Sequence, residues 1–544
     1  MKTSIESRLN LLVEAGQQQL LKGGLKGLEK ESLRVTPAGS IAQTPHPRAL
    51  GSALTHPYIT TDYSEALIEL ITPPFHDAAD TLGFLEDLHS FVYQHIEDEL
   101  LWATSMPCDI EGDDSIPIAV YGHSNIGQMK HVYRRGLAWR YGRAMQAIAG
   151  IHFNYSLNEA LWPVMQGLLG NSDPLAGFVA DQYFGMIRNI RRHGWIVMYL
   201  LGSSPAFCKS FFRGREHLAD RFAEFDSATL YRPYATSLRM SDIGYRNDNQ
   251  AELDISFNSL DQYMQSLVTA INTHHPAYEK IGVKVDGEYR QLNANVLQIS
   301  NEYYSPIRPK QIVNSGERPA LALKRRGVRY IELRSVDLGC IHPVGVNLDT
   351  LRFLELFLLC CFLQQSPLLD AEETAEISHN SLAVACCGRT PGFALRRDGR
   401  EIALSEWALE LIEGMRVIAA ILDEGDEARP YRSCLRSFVD AISEPEATPS
   451  ARVLQVMRER KETFAEYALR MSRQHATGFR QTRLEARRGD VFQAEVEESL
   501  REQQRIEASD TVGFDEFLHQ YFSKSLFDDR PQRKKQVLIK GKGG

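Results

Sequence analysis

The chain has 544 residues, 43% hydrophobic and 24% charged, a make-up that excludes wholesale disorder, a fibrous repeat and a small secreted scaffold. Its formal net charge of −9 leaves no broad basic surface for nucleic acid. No apolar run reaches the ~20 residues a membrane span needs, and the start, Met-Lys-Thr-Ser-Ile-Glu-Ser-Arg, has no secretory apolar core. A cytoplasmic monomer is therefore expected, with small-molecule partners and with neither nucleic acid nor membrane.

In chain order, the first stretch with chemical content is Gly27-Leu-Glu-Lys-Glu-Ser-Leu-Arg-Val35. As a strand of period 2 it places Glu29, Glu31 and Leu33 on one face. Lys22-Gly-Gly-Leu-Lys-Gly27, just before it, lacks phosphate-loop spacing and reads as a turn. Asp62 precedes Ser64-Glu-Ala-Leu-Ile-Glu-Leu-Ile-Thr72, a second strand with Glu65, Leu67, Glu69 and Ile71 on one face. Phe75 to Trp102 carries apolar residues at helical spacing. Gly150-Ile-His-Phe-Asn-Tyr-Ser156 groups His152, Asn154 and Ser156, and Arg329-Tyr-Ile-Glu-Leu-Arg-Ser335 groups Glu332 with Arg334. Tyr133, Tyr245 and Tyr304 stand near Gly136, Gly244 and Pro306 and are candidate walls of a small-molecule pocket.

The rest of the chain reads as mainly helical. Leu351 to Leu363 is a buried helix interrupted by Arg352 and Glu355. Arg452 to Arg470 and Phe492 to Ala508 read as amphipathic helices of a solvated outer layer, with a loop at Pro445 to Pro449. Residues 530–544 read as a basic flexible tail. The expected organisation is one catalytic unit over 1–529, sheet-bearing to about residue 350 and helical over 351–529. The eight cysteines include no C-x-x-C pair, so reduced buried thiols are expected rather than zinc ligands or a disulfide framework.

If the four strands are neighbours, Glu29, Glu31, Asp62, Glu69, His152 and Glu332 converge. Five carboxylates cannot ionise side by side without compensation. Oxygen ligands with one imidazole suit magnesium or manganese. Arg334 could then stabilise a transferring phosphoryl group. The same alternation also arises in any antiparallel sheet with one solvated face, which leaves both readings open.

The stretches GLEKESLRV (Gly27–Val35), HPRALGSALTHPYITTDYSEALIELITP (His46–Pro73) and SMPCDI (Ser105–Ile110) resemble bacterial glutamate–cysteine ligases of the proteobacterial type. So do YGHSNIGQMKHVYRRGLAWRYGRAMQAIAGIHFNYS (Tyr121–Ser156), PYATSLRMSDIGY (Pro233–Tyr245), NANVLQISNEYYSPIRPK (Asn293–Lys310) and RYIELRSVDL (Arg329–Leu338). The resemblance implies an α+β fold, a glutamine-synthetase-like antiparallel sheet funnel with helices around it and a helical C-terminal part. It implies ATP-dependent joining of the glutamate γ-carboxylate to the cysteine amine through a γ-glutamyl phosphate, with Mg2+ or Mn2+. On the matching motifs, Glu29, Glu31, Asp62, Glu69, His152 and Glu332 resemble the metal shell, and Arg334 the cation on the transferring phosphoryl group. Tyr63, Tyr133, Leu137, Gln146, Tyr245 and Tyr304 resemble the cysteine pocket, and Arg239 a substrate-carboxylate contact. Tyr63 adds a hydroxyl to the phenylalanine expected at its position, which bears on amine preference. The rivals are a sibling ligase with another amine acceptor and a non-catalytic ligand sensor on the same fold. No second ATP-grasp-like stretch is present, which argues against a bifunctional fusion.

Overall fold

The computed structural model describes residues 2–244, 253–313 and 317–523. Its main sheet is antiparallel and has seven strands: β1 (Leu25–Val35), β2 (Ile59–Thr61), β3 (Leu67–Ile71), β4 (Leu100–Leu101), β5 (Ile151–Ser156), β6 (Ile307–Lys310) and β7 (Tyr330–Val336). The order is β6–β7–β5–β1–β3–β2, with β4 on the end of β1. The acid-bearing segments are thus neighbours. Glu29 lies opposite His152 on one side and Ile71 on the other, Glu31 lies opposite Glu69, and Glu332 lies opposite Asn154.

Period 2 gives β1 a second face, with Lys26, Lys30 and Arg34 on it, all buried. The helices Ala78–Tyr93 and Leu348–Leu363 cover that face. Lys26 Nζ lies 2.7 Å from Glu355 of the second helix, and Glu355 also accepts the Tyr431 hydroxyl at 2.7 Å. Lys30 Nζ lies 2.7 Å from His89 Nε2 of the first helix. Arg34 donates to Glu99 at 2.6 Å and to Thr44 at 2.8 Å. Burial of this kind requires a partner for each charge, and each has one. The Leu348–Leu363 helix starts at Asn347, whose side chain accepts from the Thr350 N–H, and nearly all of its side chains are buried. Its apolar run is therefore a core helix. One apolar core runs from Ile5 to Val496. Among the described residues no helix is long and apolar enough to cross a membrane.

Three sequence expectations need correction. Arg452 to Arg470 is two helices, Pro449–Arg460 and Phe464–Gln481. Lys461 closes the first in the left-handed region (φ 56°), and Thr463 with Glu466 forms a capping box that opens the second. Glu65 does not share a face with Glu69, because residues 62–66 form the turn between β2 and β3. The Glu65 carboxylate accepts the His46 and Val120 N–H groups instead, at 2.8 and 2.7 Å. The cysteines are not all reduced. Cys108 and Cys208 form a disulfide, while Cys340, Cys360, Cys361, Cys386, Cys387 and Cys434 are free thiols. The expected tail at 530–544 lies outside the described residues.

Candidate active site

The upper face of β1 gathers the acids. His152 on β5 is buried and stands between two groups, Glu29 with Glu332 and Glu31 with Glu69. In each group one atom from each residue, His152 included, lies within 4.8 Å of the others. His152 Nδ1 is 3.1 Å from Glu29 Oε2, and Nε2 is 3.5 Å from Glu31 Oε1 with no hydrogen-bond partner among the described residues. Asn154, two residues on and on the same face, donates to Glu29 Oε1 at 2.9 Å. Glu31 Oε2 accepts the Gly150 N–H at 2.8 Å.

The cations sit unevenly around these acids. Lys310 Nζ on β6 lies 2.9 Å from Glu332, and Arg334 Nη1 lies 3.1 Å from its other oxygen. Burial would raise the Glu332 carboxyl, but Lys310, Arg334, His152 and Arg308 hold it well below the ordinary carboxylate range. Burial and Glu332 likewise push Glu29 up, and His152 and Lys310 outweigh them, so Glu29 ends below its usual value. The other group behaves in the opposite way. Burial, with the charges of Glu29, Asp62 and Glu31, pushes Glu69 well above the usual range. Burial, aided by Asp62, also raises Glu31. Among the described residues no Lys or Arg lies within 4 Å of either carboxylate. This half of the cluster is short of positive charge.

Asp62 belongs to neither group. Its backbone carbonyl accepts from Arg134 Nε and from the Tyr121 hydroxyl, and its side chain lines a cavity beside the acids. That cavity is walled by Tyr63, Tyr133, Leu137, Gln146 and Tyr304, with Arg134, Arg308 and Arg334 at its charged edge. Five of the six expected pocket residues therefore meet in one place, and the sixth, Tyr245, lies outside the described residues. Arg334 owes its position to a shift in the β5–β7 register between Leu333 and Val336, since such irregularities re-aim side chains. Arg239, expected at a substrate carboxylate, is fully buried behind this strand. It donates to the Arg334 carbonyl at 2.8 Å and lies 3.7 Å from Asp337. It packs so tightly on Gly150 that a Cβ there would stand 1.9 Å from its Nη2. Its contacts include the backbone that carries Arg334.

Reading the sequence missed four cations: Lys130, Arg134, Arg308 and Lys310. Arg308 and Lys310 alternate with Ile307 and Pro309 along β6, so the period-2 signal was present. Lys130 and Arg134 are four apart on the helix Asn125–Tyr141 and both lie over the Tyr121 ring. Burial and Arg134 bring the Lys130 ammonium down to about 8, against the pull of Glu69.

A family model described as glutamate–cysteine ligase matches residues 9–384. A glutamate–cysteine ligase of Azotobacter vinelandii is 49% identical over 547 residues, spanning 100% of both chains. One of Pseudomonas paraeruginosa is 50% identical over 526 residues, spanning 97% of this chain and 99% of its own. Among solved structures, the glutamate–cysteine ligase of Francisella tularensis in complex with AMP superposes with a TM-score of 0.86 at 34% identity, covering 92% of this chain and 98% of that one. A bifunctional glutathione synthetase from Pasteurella multocida gives a TM-score of 0.68 at 25% identity, over 88% of this chain and 55% of that one.

Proposed function

Because the chain belongs to the glutamate–cysteine ligase family, we propose that it joins the γ-carboxylate of L-glutamate to the amine of L-cysteine at the cost of ATP, the first step of glutathione synthesis. A γ-carboxylate oxygen attacks the terminal phosphorus of ATP and ADP leaves. The cysteine nitrogen then attacks the acyl carbon of the γ-glutamyl phosphate, phosphate leaves and the nitrogen gives up a proton. The observation that carries this reading is the pair of acid groups sharing His152 next to a cavity edged by Arg334.

The residues fit a divalent cation. They are oxygen donors with one imidazole, and among the described residues they include an imidazole nitrogen without a hydrogen bond and two carboxylates, Glu31 and Glu69, with no Lys or Arg within 4 Å. Glu29, Glu31, Glu69, Glu332 and His152 would hold magnesium or manganese, which when bound supplies charge neutralisation for the phosphates. The chain's own groups do the rest. Arg334, aimed by the strand irregularity and held through its carbonyl by Arg239, neutralises charge on the phosphoryl group in transit. Lys310 and Arg308 share that task from β6. Tyr63, Tyr133, Leu137, Gln146 and Tyr304 position the amine for attack, and this orientation is a large part of the rate gain. Asp62, the one carboxylate among the described residues of that cavity wall, is placed to take the proton from the attacking nitrogen. Residues 1–529 act as one catalytic unit, working as a monomer in the cytoplasm.

The test is phosphate release from ATP with magnesium and glutamate, with and without cysteine. Cysteine-dependent release with γ-glutamylcysteine identified by mass is the expected result. Release with another amine alone would move the function to a sibling ligase, and no release with any amine would favour the non-catalytic sensor.

A further inference from the structure

The helix Asn125–Tyr141 has two working sides. Arg134 and Leu137, on one, line the amine cavity. Ile126, Met129 and Val132, three residues apart, lie on the other. That second side is covered by the C-terminal helix Phe514–Ser523. Its Leu518 is buried in one apolar cluster with Met129, Val132 and Leu292, and Ile126, Tyr133, Phe514 and Phe517 pack against that cluster. Tyr133 thus belongs both to the cavity wall and to the contact with the C-terminal helix.

The residues just before Phe514 hold the same element by its end. Asp510 accepts the Asn125 N–H at 2.6 Å, the Val512 carbonyl accepts the Asn125 side-chain amide at 3.0 Å, and Glu507 accepts the His123 N–H at 2.9 Å. Glu507 and Gln503 belong to the helix Ala486–Ser509, which also grips the loop before β2. There Ser52 donates to Gln503 at 2.6 Å and Thr55 to the Ser499 carbonyl at 2.6 Å. Two glycines at positive φ permit this approach, Gly122 (77°) and Gly51 (85°). A Cβ on Gly122 would collide with Gln503 and Glu507, and one on Gly51 with Ser499. β2 leads from that loop to Asp62 and Tyr63, so one C-terminal segment, residues 499–518, is fastened to both elements that wall the cavity.

We propose that this segment is a brace for the active site and that Asp510 and Leu518 are positioning residues. They fix the Asn125–Tyr141 helix relative to the end of β2, and so set the spacing at which Tyr133 and Arg134 face Asp62 and Tyr63. This rests on the ligase reading above. Neither Asp510 nor Leu518 lines the cavity, so each acts on the reaction only through the helix. A small displacement caused far from the chemistry is enough to slow an oriented attack steeply. Arg308, Lys310 and Arg334 are carried by β6 and β7 instead, so the amine side should respond and the phosphate side should not.

The test measures kcat and KM of the whole chain for cysteine and for ATP, each with the other substrates saturating, in Asp510→Ala, Asp510→Asn and Leu518→Ala. In Asp510→Ala and Leu518→Ala the KM for cysteine should rise about fivefold and kcat/KM for cysteine fall about tenfold, while the KM for ATP changes less than about twofold. Asp510→Asn keeps an oxygen to accept the Asn125 N–H and should recover most of the loss. A segment that served stability alone would lower the amount of active protein, hence kcat, and leave both KM values in place. That result would overturn the proposal. So would equal rises in the two KM values, or a loss in Asp510→Asn as large as in Asp510→Ala. If Leu518→Ala does not fold, the two Asp510 variants decide on the same terms. A wild-type chain that ligates no amine would count against the ligase reading, whereas a ligating wild type with an unchanged cysteine KM in Asp510→Ala would count against this proposal alone.

Discussion

The two faces of β1 carry opposite charge and solve opposite problems. On the lower face, Lys26, Lys30 and Arg34 are buried, and each lies against a partner supplied by the surrounding segments. On the upper face, Glu29 and Glu31 meet Glu69, Glu332 and His152, and the cations gather at the Glu332 end. Lys30 shows how hard burial presses even on the lower face, since it brings that ammonium down to about 7. The difference is instructive. Each cation of the lower face has a partner within the protein and serves the fold, while on the upper face Glu31 and Glu69 have no Lys or Arg within 4 Å among the described residues and are built for something that arrives.

The largest break in this comparison is expected from Glu332→Gln. It removes the best-compensated acid of the upper face, and turnover should fall about a thousandfold, roughly 4 kcal/mol in the barrier. The unfolding midpoint should move little by comparison. Wild-type turnover in this variant would refute the site. Lys26→Met is the mirror experiment on the lower face. It leaves Glu355 buried without its cation and should cost about 3–5 kcal/mol of stability, read by denaturant unfolding. A variant as stable as the wild type would show that this pair does not hold the sheet to its helices. Arg334→Ala is expected to be smaller, lowering kcat about a hundredfold while the KM for ATP changes less than about threefold. A change confined to that KM would remove Arg334 from the phosphoryl-transfer step.

Much of the upper face was legible from residue order. The strands bearing Glu29, Glu31, His152, Glu332 and Arg334 announce themselves by alternation, because one side of the sheet is polar and the other packs on helices. Their adjacency was not legible, since β1, β5 and β7 are joined through long intervening segments and alternation carries no information about neighbours. Glu65 was misplaced because a turn held by side-chain and backbone bonds, such as Asp62 N–H to the Leu67 carbonyl at 3.0 Å, interrupts an apparently regular alternation. The Cys108–Cys208 pair closes a loop of 100 residues, beyond the reach of any spacing rule. The break at Lys461 was readable, because Thr463 and Glu466 have capping-box spacing. The lower-face cations of β1 were equally visible as period-2 partners of the glutamates. Their meaning depends on Glu355, Glu99 and His89, which only the fold brings to them.

Within the proposed divalent-cation site of the upper face, Glu31 and Glu69 are the part most in need of positive charge. The most direct test is Mn2+ binding followed by electron paramagnetic resonance, comparing the wild type with the Glu31→Gln/Glu69→Gln double variant. The account predicts that the wild type binds Mn2+ and that the double variant, folded and no less stable because two crowded acids are gone, binds it at least about tenfold more weakly. Equal Mn2+ affinity in the two proteins would contradict it.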